Sequence, residues 1–303
     1  MDHDTAGDPV SGIKWTRRTT EKIATQLRAG GLDVCANTVA GLVKQLGYRL
    51  RVNHKKLTRR RDPGRDVQFS YISAQREHFA ANRWPLVSVD AKHRELVGDF
   101  ANHGQTWSRQ PIAVNTYDFP SQADGVAIPY GIYDLRANRA SVFVGTSHNT
   151  PAFAVDNLAK WWLYHGRRRY PHTSQLLVLA DGGGSNGAKA RAWRVALQQL
   201  CDRYGLTITV CHHPTGASKY NPVEHRLFSQ ISKNWAGRPL DSYETILNYL
   251  RTTTTATGLK VNAYLITTDY PTGIKTTDEE MAQLHIRPHQ TQPARNYTLC
   301  PRA

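Results

Sequence analysis

"LTITVCHHPTGASKYNPVEHRLFSQISKNW", Leu206 to Trp235, joins a continuous apolar run to a helical pattern. "LTITVC" (206–211) has the length and β-branched content of a strand covered on both faces. Asn221 is a suitable N-cap, Pro222 fits the first helical position, and Glu224 falls in the first turn. Glu224 also stands three residues after Asn221, the spacing of a capping box, where a carboxylate only closes the helix end. Whether Glu224 caps or reaches outward decides what the stretch is for.

The neighbouring segments alternate strand and helix. "PLVSVD" (85–90) is a short apolar strand ending in Asp90. "RELVGDF" (94–100) and "GVAIPYGIYDL" (125–135) read as the second and third strands, and "ASVFVG" (140–145) extends the third or forms its partner. "PAFAVDNLAKWWLYHG" (151–166) is helical, with Val155, Leu158 and Trp162 on one face; Trp161 and Trp162 are expected to pack it on the sheet. "LLVLAD" (176–181) is another buried strand, and "AKARAWRVALQQLCDRYG" (188–205) a long helix. After the helix from Pro222, "SYETILNYLRTTTTATG" (242–258) is a last helix before a loop-rich end. The order β-β-β-α-β-α-β-α is that of an RNase H-like α/β fold, a mixed sheet flanked by helices.

That topology places one acid at the end of the first strand, a second at the end of the fourth and a third on the following helix. The positions hold Asp90, Asp181 and Glu224. Three converging carboxylates can hold two hard divalent cations through oxygen, with Mg²⁺ the expected ion and Mn²⁺ a substitute. Two such ions, roughly 3.5–4 Å apart, clamp the attacking and leaving oxygens of an in-line phosphoryl displacement. Each acid also has a plainer reading. Asp90 ends a strand, Asp181 opens the tight loop "DGGGSNG", and Glu224 completes a cap. No Gly-Lys-Ser/Thr follows the glycines, which excludes a P-loop. Asp99 and Asp134, at the ends of the second and third strands as read here, are the rivals for a place in the site.

Ahead of this region, residues 16–48 carry two short helical patterns. Ile23, Ala24 and Leu27 mark the first stripe, "GGL" breaks it, and Val39, Leu42, Val43 and Leu46 mark the second. Cys35 precedes the second helix, where a side-chain oxygen would cap better. A helix-turn-helix and an ordinary helical hairpin fit this spacing equally; the former would turn Asn37, Thr38, Gly41 and Lys44 toward DNA. "RLRVNHKKLTRRRDPGRD" (49–66) then holds eight Lys/Arg, including Lys55, Lys56, Arg59, Arg60 and Arg61. Directly after a candidate helix-turn-helix, such a run reads as an arm that follows phosphates.

Lys and Arg number 39 against 24 Asp and Glu in 303 residues, a net charge of +15. That excess favours a polyanionic partner over a small metabolite. No run is long and apolar enough for a membrane span, and "MDHDTAGDPVSG" lacks the basic and apolar regions of a signal peptide. The chain is expected in the cytoplasm. Four scattered cysteines without a C-x-x-C pair read as reduced thiols. Cys211, His212 and His213 do not make a zinc site, since adjacent strand residues face opposite ways and no second ligand pair follows.

Several long motifs carry a resemblance. "SVDAKHRELVGDF", "VLADGGGSNGAKARAW" and "CHHPTGASKYNPVEHRLFSQISKNWAGRPL", with "GYRLRVNHKKL", "GRDVQFSYI", "YGIYDL" and "NYTLCP", are similar to the ISAzo13-type insertion-sequence transposases from about Lys14 onward. The resemblance implies a DDE catalytic domain in which Asp90, Asp181 and Glu224 bind the metal, the trio that topology selects. It implies Mg²⁺-dependent strand cleavage and strand transfer, with terminal inverted repeats and target DNA as partners and a homo-oligomer on DNA, in the cytoplasm with the nucleoid. Lys219, His225 and Arg226 flank the third acid and are candidate phosphate contacts, or plain surface residues. The expected organisation is a disordered 1–15, a helix-turn-helix domain with basic arm over 16–66, the catalytic domain over 67–275 and a tail over 276–303. An RNase H-like nuclease without strand transfer, or a silent DNA-binding relic, are the other classes that fit.

Overall fold

The computed structural model describes residues 5–7, 14–16, 18–49 and 63–302. It divides into two units, Met1–Arg59 and Arg60–Ala303. In the first, β1 (Thr5–Gly7) pairs antiparallel with β2 (Lys14–Thr16), where the sequence reading had a disordered start. Two ten-residue helices follow, α1 (Thr20–Ala29) and α2 (Ala36–Gln45). The Thr19 hydroxyl caps α1 by accepting from the Lys22 N–H. Cys35 gives α2 no such bond; its Sγ lies 3.2 Å from the Thr38 hydroxyl. Ile23, Ala24 and Val39 form the small core, with Leu27, Val34 and Val43 against it. The expected stripe on α2 is only half used. Leu42 and Leu46 are 46% and 73% exposed, because a two-helix pair offers each helix a single partner face.

The second unit begins with α3 (Arg65–Ala81), a helix whose face is weakly marked in the sequence. Only Gln68, Ile72 and Phe79 are buried over its seventeen residues. The sheet is then laid down by β3 (Leu86–Ala91), β4 (Glu95–Val97), β5 (Gly125–Asp134) and β6 (Arg139–Gly145). Next come α4 (Pro151–Trp161), one turn of π-helix, and α5 (Arg167–Arg169). The alternation continues through β7 (Gln175–Ala180), α6 (Arg191–Tyr204), β8 (Thr207–His212), α7 (Ser229–Asn234) and α8 (Tyr243–Thr252). β9 (Lys260–Ile266), α9 (Asp278–Ala282), β10 (Ile286–Pro288) and β11 (Asn296–Leu299) complete the unit.

The strands run β10-β11-β8-β7-β3-β5-β6-β9 across one sheet, with β4 paired to β5 off that path. β3, β7 and β8 are parallel, whereas β3, β5 and β6 form an antiparallel meander. This is the RNase H-like mixed sheet flanked by helices. Two assignments change. The second and third core strands are β5 and β6, and "RELVGDF" supplies only the short β4. The loop-rich region after α8 also adds strands to the sheet: β9 lies parallel to β6 at one edge, and β11 lies antiparallel to β8 near the other. These late strands are short or half-exposed, so they leave no clean period in the sequence.

Helices cover both faces. On one, Trp161, Leu158 and Phe153 of α4 and Trp193 and Leu197 of α6 pack on Val87, Val89, Val178 and Ile208. On the other, Leu227, Phe228, Ile231, Ile246 and Leu250 pack on Val142, Val144 and Tyr133. Each such side chain contributes about 1.5–3 kcal/mol by leaving water. Trp161 and Trp162 are both buried, as packing residues. Among the described residues, no helix is long and apolar enough to cross a membrane.

Asp134 ends β5 fully buried, held by Arg169 Nη1 at 2.7 Å and by the Tyr170 hydroxyl at 3.0 Å. It also accepts the Ala137 N–H in the β5–β6 turn. Asp134→Asn keeps that turn bond and loses the ion pair. We expect a loss of about 1–3 kcal/mol in urea unfolding, since removing one member leaves a partly buried guanidinium unmatched.

Candidate active site

Strand register brings the first two acids together. Val89 of β3 lies beside Ala180 of β7 in parallel pairing, so Asp90 and Asp181, the next residue on each chain segment, emerge side by side at the strands' carboxyl ends. Gly131 of β5 is the register partner of Asp90. A Cβ there would meet Phe228 at 2.6 Å and Leu227 at 3.0 Å. The glycine therefore lets the segment carrying Glu224 close onto the sheet beside Asp90. Asp134 sits at the opposite end of β5, paired with Val87, and is remote from this edge. Asp99 is exposed and engages Asn115 through its carbonyl. Neither rival joins the cluster.

Glu224 opens a single π-turn, Glu224–Phe228, that runs into α7. Such turns are uncommon and recur at functional sites. The capping box does not form. Asn221 turns its carboxamide inward, fully buried, and donates from Nδ2 to Asp181 Oδ1 at 3.1 Å. Its Oδ1 accepts the Ser88 hydroxyl, and Ser88 Oγ in turn accepts the Val223 N–H at 2.9 Å. Ser88 on β3 thus takes over the cap, while the Glu224 carboxyl is freed and hydrogen-bonds to Asp90.

The carboxyls resist ionisation together. Burial, then the charges of Asp181 and Glu224, push the Asp90 carboxyl up to about 8. Burial also raises Asp181, opposed by its bond from Asn221. Glu224 is raised by burial and by Asp181, with Lys92 and Asp90 acting the other way. Lys92 is ion-paired to Glu95 and lies 4.8 Å from the centre of the Trp235 ring, which sets it at the rim of the cluster. Behind Asp181, the buried His212 donates from Nδ1 to the Asp181 carbonyl at 2.9 Å and accepts the Tyr297 hydroxyl at Nε2. Burial lowers this imidazole to about 4, so it stays neutral and holds the loop as a strut.

Among the described residues, no three His, Cys, Asp or Glu side chains are close enough to hold one ion between them. The donor set nevertheless fits hard divalent cations. Mg²⁺ keeps several waters and takes only one or two carboxylates, so two ions need shared pairs of acids rather than one three-acid cage. Acids raised by burial and by neighbouring like charge gain most from a cation beside them.

The remaining candidates lie elsewhere. Lys219, His225 and Arg226 are exposed close in sequence to Glu224. Lys219 stands over the Tyr220 ring, and Arg226 lines a groove of about 380 Å³ with Asn138, Gln230 and Thr255–Thr257. Asn37, Thr38 and Lys44 are exposed on α2 of the first unit. Lys55, Lys56, Arg59, Arg60 and Arg61 lie outside the described residues. Sequence reading missed Ser88, Lys92 and Gly131, and took Asn221 for a cap alone. The available signal was a buried Ser two residues before an acid, facing the same way by strand alternation.

Topology and acid cluster together define an RNase H-like domain of the DDE class. The chain matches the model of the Rhodopirellula transposase DDE domain over residues 1–301 and belongs to that transposase family, the ISAzo13 group. Among solved structures, a Mos1 transposase paired-end complex with the left transposon end is 16% identical, covering 77% of this chain and 65% of that one, with a TM-score of 0.46. A pre-cleavage Mos1 transpososome is likewise 16% identical, covering 77% and 66%, with a TM-score of 0.48. The chain thus spans about two thirds or less of the Mos1 chains it matches. No curated protein sequence matches it.

Two outcomes follow from this geometry. Asp90 binds its proton more tightly folded, near 8, than unfolded, near 3.8, so metal-free stability falls as pH rises through that window. Asp90→Asn removes this slope: its melting temperature at about pH 8 should exceed the wild type's, with the difference vanishing at about pH 4. Gly131→Ala should cost about 1–3 kcal/mol in urea unfolding, the usual penalty for overpacking.

Proposed function

We propose that this protein is a DNA transposase that binds the ends of an insertion sequence and carries out divalent-metal-dependent strand cleavage and strand transfer. The observation that carries the reading is the pairing of Asp90 and Asp181 at adjacent strand ends with Glu224 on the turn beside them, in a chain belonging to a DDE transposase family. Asp90, Asp181 and Glu224 would hold Mg²⁺, or Mn²⁺ in its place, which when bound lowers the barrier to in-line attack at phosphorus. Asp90 and Glu224, both raised by burial, would ionise as they take up this role. The charge of Lys92 would ease that ionisation of Glu224.

In the first reaction water attacks an element-end phosphodiester, and the bond from phosphorus to the 3′-oxygen breaks, leaving a 3′-hydroxyl and a 5′-phosphate. In the second that 3′-hydroxyl attacks a target phosphodiester, which releases the target's own 3′-oxygen. The helix pair within 16–66 supplies end recognition, with Asn37, Thr38 and Lys44 of α2 meeting base edges. The basic run holding Lys55, Lys56, Arg59, Arg60 and Arg61 follows phosphates without reading sequence. Lys219, His225 and Arg226 add phosphate contacts beside the third acid. Joining two ends calls for at least two copies on DNA, acting where the nucleoid lies.

Purified protein with labelled DNA carrying the gene's own flanking ends tests this, with and without Mg²⁺ and beside Asp181→Asn. We expect nicks at the ends and joined products that need the metal. Asp181→Asn should lower the rate by about 10³-fold or more, the several kcal/mol that metal chemistry supplies. Cleavage without joining would make the protein a nuclease. Binding with unchanged DNA in every lane would make it a silent DNA-binding protein and overturn the reading.

A further inference from the structure

The Ser88–Asn221 pair does more than close a helix. An asparagine that serves only as an N-cap would use its own Oδ1 to accept a backbone N–H from the first turn. Here Ser88 accepts that N–H, from Val223, and hands its hydroxyl proton to Asn221 Oδ1. The exchange frees the Asn221 amide, which donates to Asp181 Oδ1 at 3.1 Å and to the Val89 carbonyl at 3.4 Å. Both partners of the pair are fully buried. Three elements are thereby tied: β3 through Ser88 and Val89, β7 through Asp181, and the Glu224 turn through the Glu224 N–H bond to the Asn221 carbonyl at 3.0 Å. Those are the three elements that carry the acids.

We propose that Asn221, anchored by Ser88, is a positioning residue that fixes the Asp181 carboxylate for a divalent cation. The inference deepens the proposed function and rests on its assignment of the acids to a metal. With Oδ1 engaged by the amide, Oδ2 of Asp181 is the oxygen left for the ion. The donor is a neutral N–H that no carboxylate can replace, and its burial prevents water from substituting for it. Groups that orient a metal ligand in this way set affinity without touching the ion.

Mn²⁺ titration of the full chain without DNA, by calorimetry, tests the role. Wild type and Asp181→Asn bracket the range, and far-UV circular dichroism with a metal-free urea midpoint reports the fold. Asn221→Ser keeps a small hydroxyl beside Ser88 yet cannot reach Asp181. It should weaken Mn²⁺ about 10–100-fold while remaining folded without metal. Ser88→Ala, which releases the Asn221 amide, should weaken Mn²⁺ in the same direction; it carries the test should Asn221→Ser not fold. Wild-type affinity in a folded variant of either kind overturns the positioning role alone. A wild type that takes up no Mn²⁺ overturns the metal assignment and the positioning role with it.

Discussion

Asp90 and Asp181 stand on adjacent parallel strands, where burial raises both carboxyls and the charge of Asp181 raises Asp90 further. Everything near the strand ends answers to that burial of like charges. Burial raises both acids, and Glu224, arriving from a different element, adds a third group of the same sign. A domain selected only for stability would place apolar or paired residues here. This one retains the conflict and spreads its cost over the surrounding packing, the common condition of a site built for a ligand not made of protein.

The packing that absorbs the cost comes from unusually distant parts of the chain. Gln68 on α3 donates to the His212 carbonyl and exchanges bonds with Asn296 on β11, all buried. Tyr297 on the same strand accepts from Trp193 of α6 and reaches His212, which holds the Asp181 carbonyl. α3 and the last strand therefore brace the loop after β7 from behind. A buried polar network of this kind is stiff when complete, because each orphaned group would cost about 1–3 kcal/mol.

Alternation of apolar strands and helices made the central sheet legible, since both faces are covered and the strands read as unbroken apolar runs. Asp90 and Asp181 stood out for the same reason, each standing where an apolar run ends, whereas Glu224 drew notice only through the helix-start pattern after Asn221. What the sequence concealed depends on partners far away along the chain. β9 and β10 are the sheet's edge strands and β11 lies one in from β10; their pairing comes from β6, β11 and β8, not from their own periodicity. "RELVGDF" looked like a core strand, but its Gly98 at φ +136 ends the run after three paired residues. Asn221 read as a cap because local preference and tertiary use coincide in position and differ only in which way the side chain turns. In the first unit Leu42 and Leu46 followed the helical period faithfully, yet found no second layer to cover them.

Charge separates by depth in the catalytic unit. The acids lie partly sequestered at the strand ends, while Lys219, His225 and Arg226 are exposed on the adjoining turn and helix. On the proposed reading a DNA strand must approach three carboxylates with its own negative phosphate. At 4 Å two unit charges in an effective dielectric near 20 oppose each other by about 4 kcal/mol. Surface cations cannot cancel this, because solvent and salt screen them over about 10 Å. On that reading neutralisation would have to come from cations held by the acids. The basic surface would then serve a different end, drawing the polyanion in along its backbone, while the acids and their ions would set where it is cut.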